Sequence, residues 1–413
     1  MRKLAFLSLA PDTRGAVTAL AWKRTVTSAA LAAMVSGCSG VTEIPMPVLE
    51  QVVDRDGVPF AGQAIPAEVL DRLSPYRVVL VGETHLLVEH RELMAALVRE
   101  MHARGFRQIL LEWPHMVDWL LYDFVNDGGL EPQWRPNVFL GGVLITSIRD
   151  FNRSLPPDQR VQVRAIDVNL DDYGGAATFV DALRALSLHL PGPGPLADFL
   201  ASPYARPERQ ADEIERLRDQ LRTSRSDLMV TWGPSWYEMV AEMVEVEQAS
   251  VTIRAYREDR YDLSVRLRED VMKRLSDMRL GGFTHGTLIN VGGHHAQKSF
   301  LLGTSQEWLG DYLAHASPEA SGSVFAMFVT AARIESSSGA KLYDIRDSSP
   351  PNELFRLMYE SRSDQTVLLP LDDQVFAQGG VPVNFEEKIR VCALKRQYDA
   401  VVQLPLARRV EVQ

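Results

Sequence analysis

The chain has 413 residues, of which 46% are apolar and 24% are charged, and its formal net charge is −10. This composition is ordinary for a globular protein and allows a large buried core, in one large domain or in two smaller ones. Residues 1–37 hold five of the 44 bases and one of the 54 acids, which leaves 39 bases and 53 acids in the rest. Such a surface repels phosphate groups, and no basic stripe offsets it, so we expect no nucleic-acid partner.

The amino end has the pattern of a lipoprotein signal peptide. Lys23 and Arg24 precede an uncharged run of small and apolar residues. This run is too short to span a bilayer, which takes about 20 residues. Residues 35–38 read VSGC and resemble a lipobox, in which the cysteine becomes lipidated. We therefore expect a signal peptide over residues 1–38, lipidation at Cys38, and a membrane anchor on the periplasmic side of the cell envelope. The alternative is a simply secreted or a cytoplasmic protein.

The two cysteines of the chain, Cys38 and Cys392, are too few for a disulfide framework or a cysteine zinc site. The segment that follows Cys38 is rich in proline, glycine and valine and has no clear helical period. We expect a tether and an irregular lead-in over residues 39–67, and a folded domain over residues 68–413.

Residues 76–112 predict a β-α-β unit. The run YRVVLVGE, at residues 76–83, predicts a strand that is buried on both faces. Apolar residues then recur at helical spacing from Leu93 to Met101, and Gly105 is expected to cap that helix. Residues 106–112 predict a second strand, which is parallel to the first because a helical crossover joins them.

Further elements complete an α/β pattern. Strands are predicted over residues 161–167, 287–291, 323–333 and 398–405, and a helix is predicted over residues 209–224. Residues 235–279 contain neither glycine nor proline and predict two helices or one bent helix. We therefore predict a three-layer α/β domain with a mostly parallel central sheet and a helical insertion at about residues 195–280.

Four predicted strands carry chemically useful groups at their carboxyl ends. In open parallel sheets functional groups gather at this edge. The four strand ends carry Glu83, Glu112, Asp167 and the run Gly292-Gly293-His294-His295. The two glycines allow a tight turn that brings one histidine into a site, and the other histidine is then structural.

The pair Glu83 and His85 is the first candidate for catalysis. A carboxylate two residues from an imidazole can share a proton or a metal with it, and the imidazole titrates near neutral pH. The alternative is that His85 caps the following helix while Glu83 pairs with an arginine. Glu89 lies one helical turn beyond His85 and could join it at a metal, although Glu89 and His90 also suit a solvated helix start.

Glu112 follows three apolar residues, so we expect it to be partly buried. Burial raises the pKa of a carboxyl group or requires a cationic partner, for which Arg268 is one candidate. His115 follows a proline and is expected to be a surface or capping residue.

The absence of several common catalytic motifs from the sequence limits the classes of reaction that we consider. There is neither a G-x-S-x-G nucleophile elbow nor a dinucleotide-binding glycine fingerprint after a strand. The scarcity of cysteine also argues against a cysteine hydrolase. Water activation by a Glu/His cluster, with or without a metal, or simple ligand binding remains.

Several segments resemble the erythromycin esterase, ChaN and TIKI superfamily. Residues 82–112 are similar to the opening of erythromycin esterase-like proteins, in which G-E-x-H precedes a helix, a Gly-Phe turn and a strand ending in Glu. They also resemble ChaN-type haem-associated lipoproteins, which have a further histidine at about the position of His90. Residues 268–272 look like the R-[DN]-x-x-M helix, with Glu269 in place of Asp or Asn. Residues 292–295 look like the late G-x-[GN]-H segment, which selects His295, and AIDVN matches an esterase aspartate at Asp167. The likeness runs from about residue 76 to residue 405.

This resemblance implies more than one chemistry. Esterase members hydrolyse a macrolide lactone with a histidine as general base, the TIKI branch resembles metal-dependent peptidases, and ChaN is associated with haem and iron uptake. We expect a cell-envelope hydrolase that activates water to cleave an ester, lactone or amide in a small molecule or peptide. Its candidate catalytic residues are Glu83, His85, Glu112, Arg268 and His295.

Two alternatives stay open. One is a haem- or iron-binding lipoprotein without turnover, and the other is a degenerate member that serves as a surface interaction module. The cofactor would be a divalent metal or haem, with candidate ligands His85, His90, Glu112 and His295. Secondary candidates for the site are Glu89, Asp167 and His294.

Overall fold

The structure is a computed structural model that describes residues 42–127, 142–173, 175–204, 209–299, 306–347, 352–381, 383–385, 389–391 and 394–410. The lipobox with Cys38, and also Cys392, lie outside these residues. Within the described ranges, no helix combines the length and apolar character that crossing a bilayer requires.

The chain alternates between strands and helices. Strands β1 to β15 are, in order, Thr42–Glu43, Val58–Phe60, Val78–Glu83, Phe106–Pro114, Gln162–Asp167, Gly286–Gly292, Val324–Ala331, Arg333–Glu335, Lys341–Asp344, Thr366–Pro370, Gly379–Gly380, Val383–Phe385, Ile389–Val391, Ala400–Leu404 and Ala407–Arg408. Helices α1 to α15 are Met46–Asp56, Ala67–Leu73, Val88–His102, Asp118–Val125, Val143–Arg153, Gly175–Ser187, Pro195–Ala201, Gln210–Thr223, Arg225–Thr231, Pro234–Tyr256, Tyr261–Leu280, Leu309–His315, Glu353–Ser361, Gln374–Gln378 and Leu394–Gln397.

An eight-stranded sheet forms the centre of the protein. Its strand order is β2-β10-β14-β7-β3-β6-β4-β5. The six strands from β14 to β5 are all parallel to their neighbours, whereas β10 is antiparallel to β14 and to β2. A small three-stranded sheet, in the order β15-β8-β9, extends the structure beyond β7. The predicted α/β fold with a mostly parallel central sheet is confirmed.

Strand β3 shows why the domain has three layers. Its side chains alternate between the two faces of the sheet, so that Val79 and Val81 enter one apolar core while Val78 and Leu80 enter another. Helix α3 covers the first face and helix α11 covers the second. A strand that is covered on both faces needs apolar residues at nearly every position, which is the pattern of VVLV.

The predicted helices over residues 235–279 are two separate helices, α10 and α11. They are joined by a short turn at residues 257–260. Helix α3 ends at His102, earlier than the sequence predicts, and Gly105 makes the turn into β4 with a φ of 90°. Glycine suits this turn because a positive φ is strained for other residues.

The predicted irregular lead-in is wrong for much of residues 42–67. Helix α1 buries Leu49, Val52 and Val53, and β2 adds an edge strand to the central sheet by pairing with β10. Prolines near residue 46 indicate a loop in the sequence. However, Pro47 lies in the first turn of α1, where a proline is tolerated because its missing N–H would have no helical partner.

Candidate active site

The candidate site lies at the carboxyl ends of four neighbouring strands, β3, β6, β4 and β5. Glu83 ends β3, Glu112 lies near the end of β4, and Asp167 ends β5. Gly292 ends β6, and His295 follows in the next turn. Because parallel neighbours end at the same edge, residues that are far apart in the chain converge here, as the strand pattern predicts.

Glu83 holds two histidines and an asparagine. Its Oε1 accepts a hydrogen bond from Nδ1 of His85 at 2.9 Å. Its Oε2 lies 3.0 Å from Nε2 of His90 and accepts a 3.2 Å bond from Nδ2 of Asn290. Burial opposes ionisation, but the charge of His90 and the hydrogen bonds from both histidines outweigh it and hold the pKa of Glu83 well below its usual value.

His85 is therefore fixed at one ring nitrogen and free at the other. None of the described residues forms a hydrogen bond with its Nε2, and 56% of its side chain is exposed. Partial desolvation of the ring by its surroundings lowers the pKa of His85, but the hydrogen bond to Glu83 and the charge of Glu112 outweigh it and raise this pKa to about 9. A carboxylate on Nδ1 selects the tautomer in which Nε2 can accept a proton.

The His85 ring approaches the backbone at position 292 so closely that only a glycine fits there. A Cβ added at Gly292 would lie 2.7 Å from Nε2 of His85 and 3.3 Å from Oε2 of Glu112. The imidazole thus lies directly over the backbone at the end of β6, beside the Glu112 carboxylate. No other residue could occupy position 292 without moving the ring.

Glu112 is buried and receives three donors. Its Oε1 accepts bonds from Nη2 of Arg268 at 2.5 Å and from Nε2 of His295 at 3.2 Å. Its Oε2 accepts the backbone N–H of Gly292 at 2.5 Å. Burial alone would raise the pKa of Glu112, but the positive charges of His295 and Arg268 hold it well below its usual value. The pairing with Arg268 that the sequence suggests is present.

His295 lies between two carboxylates. Its Nδ1 is 2.5 Å from Oε1 of Glu269, whose Oε2 accepts the backbone N–H of Leu309 at 2.8 Å. Burial lowers the pKa of His295, but the charges of Glu112 and Glu269 outweigh this and raise it to about 10. Glu269, which departs from the Asp or Asn of the superfamily pattern, therefore still has a defined partner in the site.

Arg268 connects Glu112 to Asp167. Its Nε and Nη2 donate to the two oxygens of Asp167 at 2.8 and 2.7 Å, and Asp167 is fully buried. Burial disfavours the charged guanidinium, but Asp167 and Glu112 outweigh it and raise the pKa of Arg268 well above its usual value. Asp167 therefore fixes the Arg268 side chain from the buried side of the site and does not face an incoming substrate.

Several other sequence candidates lie beside or outside this cluster. His90 is 1% exposed and lies behind Glu83. His294 stacks on Trp308 with ring centroids 5.9 Å apart, and it is His295 that contacts the carboxylates of the cluster. Glu89 does not join His85 at a metal because α3 begins only at Val88, and the Glu89 carboxylate binds Arg408 instead.

His115 corrects another expectation. It is 4% exposed, not a surface or capping residue, and its Nε2 lies 2.8 Å from Oε1 of Glu242. Glu242 also pairs with Arg279, which lies 3.2 Å from Asp118. The proline that ends β4 turns the chain inward against helices α10 and α11, so His115 is covered by residues that follow it by more than 100 positions.

Asn290 is a site residue that the sequence analysis missed. Its Oδ1 lies 2.7 Å from Nε2 of His90, and its amide nitrogen contacts Glu83. The sequence contains a feature that could have identified it, because Asn290 is a polar residue within the otherwise apolar run LINV of a buried strand. Buried polar side chains need partners, so such a residue indicates a hydrogen-bond network.

The described residues do not fit a metal ion. Among them, no group of three His, Cys, Asp or Glu side chains is placed to hold one. The oxygens of Glu112 and Asp167 already accept bonds from Arg268 and from Gly292, and both nitrogens of His295 face carboxylates. A divalent cation would have to displace the guanidinium, so we derive no step through a metal. The haem alternative stays a prediction.

Comparisons with known proteins show the fold. No family model matches the chain, and no curated protein matches its sequence. A Bacillus cereus protein matches with a TM-score of 0.62 at 13% identity, covering 90% of this chain and 100% of its own. A protein described as a succinoglycan biosynthesis protein matches with a TM-score of 0.61 at 14% identity, covering 89% and 99%. A mutant of the erythromycin esterase EreC in its open conformation matches with a TM-score of 0.55 at 16% identity, covering 90% and 98%.

The chain therefore has the α/β fold of the erythromycin esterase EreC, and the resemblance seen in the sequence is confirmed at the level of the fold. ChaN of Campylobacter jejuni, solved with cofacial haem, covers 67% of this chain with a TM-score of 0.28. That similarity is too low to carry an argument about this chain.

Proposed function

We propose that the protein is a cell-envelope hydrolase that cleaves an ester, lactone or amide bond in a small molecule or peptide. The observation that supports this proposal is the hydrogen bonding of the two ring nitrogens of His85. Its Nδ1 is held by Glu83, and its Nε2 has no hydrogen-bond partner in the part of the chain that the structure describes, at the edge of the sheet where parallel α/β proteins place their sites. This is the arrangement of a general base that is oriented by a carboxylate.

The neutral form of His85 takes a proton from a water molecule at Nε2. The water oxygen attacks the carbonyl carbon, and Glu83 stabilises the imidazolium through the bond at Nδ1. The imidazolium then returns the proton to the departing oxygen or nitrogen as its bond to carbon breaks. The products are a carboxylic acid and an alcohol or amine, so atoms and protons balance.

A buried network of ion pairs lies next to the reaction centre. Arg268 and His295 both contact Oε1 of Glu112, whose other oxygen approaches Nε2 of His85 across Gly292. The two cations are neutralised by the carboxylates of Glu112, Asp167 and Glu269, so this network fixes the Glu112 carboxylate beside the His85 ring.

The substrate panel that tests this proposal contains simple esters, lactones and amides. Wild-type protein should hydrolyse at least one of them, and His85→Gln should lose at least about 100-fold in kcat. Arg346→Ala is a suitable control because it removes an exposed guanidinium that pairs with Asp344, which keeps its bond from the backbone N–H of residue 346, and it should leave activity within about twofold. Equal turnover by His85→Gln and wild type, with both folded, would contradict the proposal.

The envelope location is a separate part of the proposal and rests on the lipobox. Metabolic labelling with a radioactive fatty acid should mark the wild-type protein in the membrane fraction. Cys38→Ser should abolish the label and release the protein from the membrane. Unlabelled wild-type protein in the soluble fraction would show that Cys38 is not an anchor.

A further inference from the structure

The loop that carries His85 is braced by the carboxyl-terminal strand of the described chain. The backbone N–H of Val410 donates to the carbonyl of Leu86 at 2.7 Å, directly after His85. Leu87 and Arg409 form an antiparallel bridge beside this bond. The backbone that directly follows His85 is therefore tied to residues 409 and 410.

A side-chain pair adds a second connection. Glu89, in the first turn of α3, accepts the backbone N–H of Arg408 at 2.5 Å with Oε2. Its Oε1 accepts Nε of the same arginine at 2.7 Å. Glu89 therefore binds both the backbone and the guanidinium of Arg408, which fixes the start of α3 relative to β15.

The backbone conformation of Leu86 indicates that these contacts stabilise a loop that would not keep this conformation without them. Leu86 has a φ of 65°, in the left-handed region that a leucine rarely adopts. Such a residue persists only where its surroundings over-determine it, and such residues cluster at functional sites. The bond from Val410 to the Leu86 carbonyl is one of the contacts that can impose this conformation.

The strand that supplies the ties is itself anchored to the body of the domain. In β15, Ala407 is fully buried and lies opposite Ile334 of β8, and the N–H of Arg409 donates to Glu335 at 2.8 Å. Strand β8 follows β7, which pairs with β3 in the central sheet. Residues 407–410 thus connect the loop to the sheet by a route that does not pass through Glu83.

We propose that residues 407–410, here called the C-terminal brace, position His85 over Gly292, with Arg408 and Val410 as the positioning residues. The catalytic consequence rests on the function proposed above. Neither residue contacts the reacting atoms. They act through Leu86 and Glu89, which set the path of the backbone on the carboxyl side of His85.

Val410→Pro is the sharpest test, because proline removes the N–H that binds Leu86 and leaves the Leu86 side chain unchanged. Arg409 is already extended in its bridge, which is the conformation that a following proline favours. Val410→Ala is the matched control, since it shortens the side chain but keeps the N–H. We expect Val410→Pro to lower kcat by roughly tenfold or more with little change in KM, and Val410→Ala to stay within about twofold.

Arg408→Ala tests the second connection, with Arg346→Ala as its control. The two arginines are 55% and 56% exposed, and each binds a carboxylate through both its backbone N–H and its guanidinium. Arg346 follows β9 of the same small sheet but has no bond to the His85 loop. Arg408→Ala should lower kcat severalfold, and Arg346→Ala should not.

A measurement that needs no turnover separates this proposal from the proposed function. NMR of histidine-labelled full-length protein gives the pKa of His85, with its signal assigned by its loss in His85→Gln. In Val410→Pro this pKa should fall from about 9 toward the ordinary value of about 6.5, because the ring moves away from Glu83 and Glu112. Val410→Ala should keep the wild-type value.

The outcomes are distinct. A lowered pKa in Val410→Pro supports the brace even if wild-type protein hydrolyses nothing in the panel, in which case only the hydrolase proposal fails. An unchanged pKa of His85 in folded Val410→Pro and Arg408→Ala, with turnover equal to their controls, would overturn the brace.

Discussion

Oε1 of Glu269 lies 2.5 Å from Nδ1 of His295, so each of the two histidines at the centre of the site has a carboxylate on the same ring nitrogen. The surroundings of the two rings differ. His295 is buried and its Nε2 faces Glu112, whereas His85 is exposed and its Nε2 has no partner among the described residues. Their chemical tasks should therefore differ, with His295 holding positive charge and His85 exchanging a proton.

The buried charge of His295 should make stability depend on pH. Its pKa in the folded protein is about 10, above the unfolded value of about 6.5, so its contribution is fully present below pH 6.5 and is lost as the pH rises through 10. Chemical denaturation at pH 6 and pH 10 should show a larger fall in the free energy of unfolding for wild type than for His295→Gln. The difference should be a few kcal/mol, and equal falls would show that His295 is not charged when folded.

Gly292→Ala should separate activity from stability. The new methyl group would meet the His85 ring, which is largely exposed and can turn toward solvent, although it loses its bond to Glu83 when it does so. We expect a loss of about 100-fold in kcat/KM, because displacement of a catalytic group by about 1 Å has effects of this size. The thermal midpoint should change little. Full activity in this variant would show that Nε2 need not lie over the end of β6.

Removal of the Arg268 guanidinium should be costly for folding as well as for activity. Arg268→Ala leaves Asp167 buried and without its cationic partner, which we expect to destabilise the protein by about 3–5 kcal/mol. Asp167→Asn in the same background should recover part of this loss, because it removes the uncompensated charge. Additive effects in a double-mutant cycle measured by urea denaturation would contradict the pairing.

The sequence allowed the positions of the main site groups to be predicted, because strand ends can be located from local patterns. The apolar run before Glu83 and the paired glycines before His294 mark where two buried strands stop. Parallel pairing then brings these ends together without further information. The same reasoning located Glu112 and Asp167.

The partners of these groups could not be predicted in this way. Glu89 and Arg408 are 319 positions apart, and Glu242 follows His115 by 127 positions. Periodicity reports which face of an element is buried, but it does not report which distant side chain covers that face. The brace and the buried environment of His115 depend on such long-range packing and were therefore missed.

The measurement that tests the central claim most directly is the pH dependence of kcat/KM for wild type and Glu83→Gln. If His85 is a general base oriented by Glu83, the rate of wild type should rise with pH until about pH 9, because only the neutral imidazole accepts a proton. In Glu83→Gln the rise should end near the ordinary histidine value of about 6.5, at a lower plateau. Rises that end at the same pH in both proteins would contradict the account, since the titrating group would then not be held by Glu83.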